Sequence, residues 1–394
     1  MRVLWLAGNN ALYRYSGDQH GGWIGALQRE VQKEDGIMLA VGFPWTDCIK
    51  EERDGVVYYG IKDIRHPIFR YKAKLNKQMQ RLQAIVDDFK PNVIHVFGTE
   101  IAYGMIAGLT KIPVIIHIQG VLGAIYEAWL PQNLSWRGYI LHYPKVYFGY
   151  DALQKFVPRE RTIFSQCRYF MGRTDWDKDI SQLLSPESTY FHCDEMLRPE
   201  ILQAGAWQYH SSDDVTIVSI VGEAPYKGTD TILRTAKILK DDAKMNFTWN
   251  VIGIRFLRFA ERLTGIKAAD VNVIPMGRIE VNHLIKRMQE ATMFVHPSYI
   301  ENSSNAICEA QCLGMPVIAT HAGGTTTLVE HESTGIVVPA NDVYMLAAQI
   351  IRLTNDSDKC VSMGKKARMV ALMRHNPQKI VSELLGIYKS VTNG

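Results

Sequence analysis

The sequence predicts an α/β protein built from two doubly wound parallel sheets in succession, and three observations carry that expectation. Short β-branched runs alternate with amphipathic helical stretches along the whole chain, the pattern of parallel strands covered by helices. At 394 residues the chain is too long for one ordinary core, so two domains of similar size are expected. The alternation is interrupted across 197–214 by Pro199, Gly205 and the polar run 210–214, and the join is placed there.

In the first half, strands are predicted at 2–6, 38–42, 56–60, 92–96, 113–118 and 169–172. In the second half they are predicted at 215–221, 248–253, 271–276, 293–296, 316–319 and 335–338, with helices at 229–240, 283–291 and 305–313 among those filling the gaps. Ligands of such sheets bind outside the carboxyl ends of the strands. With two sheets in one chain, those ends are expected to face each other across a cleft.

Composition excludes more than it assigns. The apolar fraction of 47% is that of a soluble globular protein, and a net charge of +4 says little about partners. The 6 cysteines form no CxxC pair, which predicts reduced thiols in a cytosol. Cys308 and Cys312 lie four apart on a predicted helix with no cluster to complete a metal site, and read as buried small apolar side chains. The opening MRVLWLAGNN reads as a first strand rather than a signal peptide, and no window has the apolar length of a membrane span.

The most specific segment runs from His296 to Thr320 as strand, loop, helix and strand. Glu301 ends the loop, and Glu309 lies in the following helix with seven residues between them. Amides at Ser303, Ser304, Asn305 and Ala306, with the positive end of the helix behind them, suit a diphosphate. Glu301 then stands beside a sugar attached to that diphosphate, and Glu309 can accept hydrogen bonds from ribose hydroxyls. One Glu alone would read as a solvated charge; two in this string carry the functional reading.

These residues resemble glycosyltransferase family four, retaining enzymes of the GT-B fold with two Rossmann-like domains. The E-x7-E signature is matched by Glu301 and Glu309. The resemblance continues through Gly314-Met-Pro-Val-Ile-Ala-Thr, Gly323-Gly324 and Thr334-Gly335-Ile-Val-Val-Pro339, and through Val221-Gly222 to Tyr226-Lys227-Gly228-Thr-Asp. It is looser in the first half, through Gly21-Gly22 and Pro113-Val-Ile-Ile-His-Ile-Gln-Gly120. It implies that Lys227 binds the donor diphosphate, where an ammonium stabilises charge building on the leaving group. Gly22 lies between the first strand and the next helix, where glycine lets backbone amides approach a phosphate or sugar.

Three departures from the family pattern bear on donor binding. Glu223 stands where an Arg is usual, and Arg255 or Arg278, each just after a predicted strand, is the candidate replacement. Gln119 replaces a usual His, with His117 two residues earlier. Thr327 stands where a Glu is usual in the later loop. On the acceptor side, Gln119, Arg173 and Thr174 are expected to face the cleft. Asp175-Trp-Asp177 resembles a DxD metal motif but reads better as a helix N-cap, so no metal or other cofactor is expected.

Two basic, aromatic-rich stretches lie in the first half. One contains Lys62, Arg65, Arg70, Lys72, Lys74, Lys77 and Arg81 with Phe69 and Tyr71; the other, 136–161, contains Arg137, Lys145, Lys155, Arg159 and Arg161 with Trp136, Tyr139, Tyr143 and Phe148. They suit an anionic membrane surface or a lipid-diphosphate acceptor, as well as an ordinary solvated face. No recognition motif accompanies them, so nucleic acid is not expected.

The resemblance thus implies a retaining hexosyltransferase-type enzyme (EC 2.4) that moves a sugar from a nucleotide-diphosphate sugar to a glycan, lipid-linked or other acceptor in bacterial surface polysaccharide synthesis. Residues 1–200 are expected to bind the acceptor and 201–375 the donor, with the last helix, 376–394, returning to the first domain. The expected place is cytoplasmic, peripheral on the inner face of the membrane. The competing readings are a non-hydrolysing nucleotide-sugar epimerase and a catalytically weak sugar-nucleotide-binding subunit.

Overall fold

A computed structural model describes residues 1–14, 22–62, 71–129, 143–209 and 214–393. By contact the chain divides into two units. Met1–Gly123, Asp151–Arg198 and His375–Gly394 form the first, and Ala124–Tyr150 with Pro199–Arg374 the second. Residues 124–150 therefore group with the second unit, whereas the sequence places them in a domain of 1–200. Among the described residues no helix is long and apolar enough to cross a membrane.

Among the described residues the first unit holds eight strands: β1 (Arg2–Leu6), β2 (Met38–Trp45), β3 (Ile49–Arg53), β4 (Val56–Lys62), β5 (Val93–Phe97), β6 (Val114–His117), β7 (Tyr169–Gly172) and β8 (Thr189–His192). Their order across the sheet is β3-β4-β2-β1-β5-β6-β7-β8. Every pairing is parallel except β3 with β4. The central strands are apolar on both faces because helices cover both, as parallel sheets require.

β3 and β8 are absent from the sequence reading. The run Ile-Lys-Glu-Glu-Arg of β3 lacks an apolar pattern because it is a largely exposed edge. Its hairpin is set by Asp54-Gly55, both at positive φ (53° and 75°), the pair that a two-residue type I′ turn needs. That dipeptide is the signal that identifies the strand. β8 is likewise a short, half-exposed edge.

The second unit holds β9 (Val215–Ile220), β10 (Phe247–Ile252), β11 (Val273–Gly277), β12 (Met293–His296), β13 (Val317–His321) and β14 (Ile336–Pro339). Their order is β11-β10-β9-β12-β13-β14, all parallel. The chain winds outward from β9 in one direction and from β12 in the other, so the order reverses between these two strands. Buried Trp249 donates to Ser219 Oγ at 3.0 Å, and Ser219 donates to the Val295 carbonyl at 2.6 Å, tying β10, β9 and β12 together.

The last helix, Pro377–Asn393, packs Ile380, Leu384 and Tyr388 into the same buried cluster as Trp5, Phe43 and Phe97 of the first sheet. Trp5 Nε1 donates to Tyr388 Oη at 2.9 Å, His95 Nδ1 lies 2.6 Å from that hydroxyl, and His95 Nε2 lies 3.2 Å from His117 Nδ1. Because indole N–H only donates, the consistent arrangement has Tyr388 donating to His95 and His95 donating to His117, both rings neutral. Burial pushes the His95 pKa down to about 3. Burial, with the charge of Arg173 and the neighbouring His95, pushes His117 well below its ordinary value.

Both imidazoles thus have folded pKa values below the unfolded value near 6.5. Their contribution to stability is full above that pH and is lost as pH falls from 6.5 toward 3. Urea unfolding should show stability falling by up to about 1.4 kcal/mol per pH unit for each ring in that window. Tyr388→Phe, which leaves Trp5 and His95 without their shared partner, should cost about 1–3 kcal/mol at pH 7. Unfolding curves unchanged between pH 6.5 and 4.5 would show that the pair is not held neutral.

Candidate active site

The second unit carries the most developed site, at the carboxyl edge of its sheet where the strand order reverses. After β9 the chain makes a short turn, Pro225–Lys227, closed by Gly228 at φ 73°. A Cβ on Gly228 would sit 2.0 Å from the Pro297 carbonyl oxygen, so only glycine lets this turn reach the loop after β12. The Tyr299 amide then donates to the Tyr226 carbonyl at 2.7 Å, and Tyr299 Oη donates to buried Asp230 at 2.5 Å. The two loops are held as one piece.

That joining brings Lys227 Nζ to 2.6 Å from Glu301 Oε2. The same carboxylate oxygen lies 3.1 Å from His296 Nε2 and 3.4 Å from Ser298 Oγ, and Ser298 Oγ is 3.1 Å from His296 Nε2. Burial raises the Glu301 pKa, but the Lys227 ammonium and the His296 ring outweigh it and hold the carboxyl well below the usual range. Burial lowers the Lys227 pKa, and attraction to Glu301 more than reverses this. The pair is therefore ionised together, with side chains 23% and 13% exposed.

A second glycine fixes the other side of Glu301. Gly323, at φ 51°, would place a Cβ 1.9 Å from the Glu301 carbonyl oxygen, and the Gly324 amide donates to that oxygen at 3.0 Å. Ser304 caps the helix Asn305–Leu313, its hydroxyl accepting from the Ile307 amide at 3.5 Å. The first turn of that helix, with Ser303, Asn305 and Ala306, forms its positive end. Glu309, 6% exposed, lies within the same helix. Arg278 follows β11 and is exposed; Arg255 follows β10, its Nε 3.9 Å from where a Gly277 Cβ would stand. Both belong to the edge that carries Lys227 and Glu301.

His296 and Ser298 are partners of Glu301 that the sequence reading assigns no role. His296 ends β12 and Ser298 follows it in the string His296-Pro-Ser298, and the signal is their place five and three residues before the carboxylate they adjoin.

In the first unit, the residues expected to meet the acceptor have internal duties. Arg173 is 4% exposed, paired with Glu195 and within 3.4 Å of Gln119 Oε1, with its guanidinium carbon 5.4 Å from the Trp23 ring centroid. Thr174 is 2% exposed and caps the helix Asp175–Leu184 in a reciprocal box with Asp177. Neither is presented to solvent, because a buried cation needs its counter-charge and a helix start needs its cap. Asp177 also accepts from Tyr190 Oη at 2.5 Å. Gln119 donates to the His117 carbonyl at 3.3 Å. Gly22, at φ 62°, opens the helix Gly22–Val31, and Gly21 lies outside the described residues.

The basic stretches are only partly described. Arg65, Arg70, Phe69, Trp136, Arg137 and Tyr139 lie outside the described residues, as do the side chains of Tyr71, Lys72 and Lys145. Of the rest, Lys62 pairs with Asp47 at 2.7 Å, Lys155 with Asp151 at 2.6 Å, and Arg159 is 9% exposed and donates to the Thr99 and Glu100 carbonyls.

Comparison with known proteins agrees with this architecture. Residues 207–370 match the family model of glycosyl transferases group 1. The chain is 26% identical over 183 residues to a putative colanic acid biosynthesis glycosyltransferase of Escherichia coli, a match covering 44% of this chain and 45% of that protein. The match thus spans less than half the length of such a relative. Among solved structures, sucrose-phosphate synthase from Thermosynechococcus elongatus superposes with TM-score 0.75 at 17% identity, covering 99% of both chains. Anabaena HepE in complex with UDP-glucose superposes with TM-score 0.65 at 15% identity, covering 99% of this chain and 100% of that one. These likenesses establish the fold: the chain has the two Rossmann-like parallel sheets of GT-B, and its second unit carries the stretch that matches glycosyl transferases group 1.

Proposed function

We propose that this chain is a retaining glycosyltransferase that moves a sugar from a nucleoside diphosphate sugar to a hydroxyl of a glycan or lipid-linked acceptor in surface polysaccharide synthesis. The observation that carries the reading is the ionised Lys227–Glu301 pair, 2.6 Å apart at the switch point of a doubly wound sheet, beside the start of the helix Asn305–Leu313. Such a place takes phosphates, since amide donors and a cation converge there. HepE, similar in fold, is a protein solved with UDP-glucose.

In this reading the diphosphate sits between Lys227 and the amides of Ser303 to Ala306, with Arg278 as a further cation. Glu309 accepts from the ribose hydroxyls. The diphosphate draws Lys227 away from Glu301, whose carboxylate then accepts hydrogen bonds from the transferred sugar. The acceptor oxygen attacks the anomeric carbon on the face from which the phosphate leaves. The bond from that carbon to the phosphate oxygen breaks with its electron pair, and the departing phosphate takes the acceptor proton. No side-chain nucleophile is required, and the configuration is retained. The leaving charge falls on Lys227 and the amides, so no metal is needed.

Two measurements test these roles. With the donor base and sugar identified by a thermal-shift screen, Lys227→Ala should lower kcat by roughly two to three orders of magnitude in buffer containing chelator, as removal of one preorganised charge donor does. A wild-type rate that vanishes in chelator and returns with manganese would place the leaving-group charge on a metal instead. Glu309→Ala should weaken the free nucleoside diphosphate, read by calorimetry, by about tenfold or more, the effect of losing hydrogen bonds to a charged acceptor. Unchanged affinity would remove Glu309 from the ribose.

A further inference from the structure

At the carboxyl edge of the first sheet one carboxylate stands apart from the internal pairs. Glu100 is exposed, three residues past the end of β5, and among the described residues it pairs with no cation. Its backbone is clamped by two residues of the helix Pro144–Gln166. Arg159 donates to the Thr99 and Glu100 carbonyls at 3.0 and 2.7 Å, and the Thr99 hydroxyl donates to Glu160 at 2.6 Å. Glu160 is 1% exposed and accepts also from the Leu122 and Gly123 amides. A glycine then aims the Glu100 side chain. Gly98 has φ 84°, and a Cβ there would collide with Glu100 Oε2 and stand 3.2 Å from Gln119 Cγ, so only glycine lets the carboxylate fold back over the end of β5 beside Gln119. The Gly98 amide donates to the His117 carbonyl at 2.8 Å, which holds the ends of β5 and β6 side by side.

We propose that Glu100, with Gln119 beside it, is a hydroxyl-binding subsite, whose carboxylate accepts hydrogen bonds from neighbouring hydroxyls of an acceptor sugar and so orients the ring. As the assignment of an acceptor, the inference rests on the transferase reading. Chemistry selects the ligand class. A carboxylate only accepts, so its partner must donate, and its charge repels phosphate and carboxylate groups. Arg159 bonds to the Glu100 carbonyl, and an Arg173 nitrogen lies 3.4 Å from Gln119 Oε1, so cations already serve this edge and oppose an ammonium. A neutral polyol is what remains, and its hydroxyls bond a carboxylate more strongly than they bond a neutral group. The place is the one where doubly wound sheets hold ligands, the carboxyl ends of neighbouring strands. The setting leaves an electrostatic mark as well. Although Glu100 is exposed, the protein crowding its carboxyl withdraws water and, with the charge of Glu160, pushes its pKa up to about 7 against the opposing pull of Arg159 and of the Glu100 and Thr99 amides. The ionised, hydroxyl-accepting form therefore gains as pH rises through 7.

Titration of the full chain with the methyl glycosides of glucose, galactose and mannose, read by ligand-observed NMR, tests this without any donor. At least one glycoside should bind the wild type, and about tenfold more tightly at pH 8 than at pH 6, because only the ionised fraction is competent. E100Q should weaken binding at pH 8 by about tenfold, the loss of a charge-assisted hydrogen bond, and should abolish the dependence on pH. E100D, which keeps the charge and shortens its reach, should weaken binding while the dependence on pH remains. An unchanged unfolding midpoint verifies that both variants are folded. A wild type that binds none of the three, E100Q that binds as the wild type does at pH 8, or a dependence on pH that survives in E100Q overturns the proposal. Glycoside binding that is lost in E100Q, in a protein that turns over no nucleotide sugar, upholds the subsite and removes the transferase reading. Donor turnover with glycoside binding indifferent to Glu100 refutes the subsite and leaves that reading standing.

Discussion

The second unit is organised around one electrostatic contact, the Lys227–Glu301 ion pair. Neither charge is well hydrated, and each would be costly alone in that setting. Together they sit at the carboxyl edge of the sheet between β9 and β12, where the strand order reverses. The rest of the local structure serves to close the approach. Gly228 lets the first loop touch the second, Gly323 lets the third touch it from the other side, and the Asp230–Tyr299 hydrogen bond anchors the result to the helix Thr229–Asp241. That edge brings a cation, an anion and a helix start together, the grouping on which the proposed binding of a phosphate-bearing sugar donor rests.

Much of this was legible in the sequence. The six strands of the second sheet follow from β-branched runs, the string from His296 to Thr320 singles out Glu301 and Glu309, and Lys227 is singled out by the resemblance to glycosyltransferase family four. What spacing could not show is which groups touch. Lys227 and Glu301 are 74 residues apart in the chain, and their contact depends on two glycines whose role is to be absent as side chains. His296 stands at the end of a strand in the sequence pattern, and its ring meets Glu301 only through the fold of the loop that follows. In the first unit the exposed edge strands β3 and β8 escaped because an edge has one solvated face and no strong apolar pattern.

Arg173 and Thr174 show what a polar residue after a strand leaves hidden in the sequence, namely that each has an internal partner. Arg173 follows β7, where a functional residue is expected, yet Glu195, a sequence-distant carboxylate, neutralises it below the surface. The same unit buries a second polar chain, Trp5–Tyr388–His95–His117, which fastens the returning C-terminal helix to the sheet through hydrogen bonds rather than apolar packing alone. Buried polar groups of this kind act as registers: they are satisfied in one arrangement of helix and sheet and unsatisfied in a shifted one. That constraint explains why Tyr388 is wholly buried near the end of the chain.

In the proposed function Lys227 is shared, paired with Glu301 as observed and with the diphosphate when donor binds. A double-mutant cycle read by calorimetry on a free nucleoside diphosphate tests it most directly. The account predicts that Glu301→Gln tightens binding, because the competing carboxylate charge is gone, that Lys227→Ala weakens it, and that Glu301→Gln has no effect once Lys227 is absent. Equal weakening by Glu301→Gln in both backgrounds would contradict the account, since the two side chains would then be acting independently of one another.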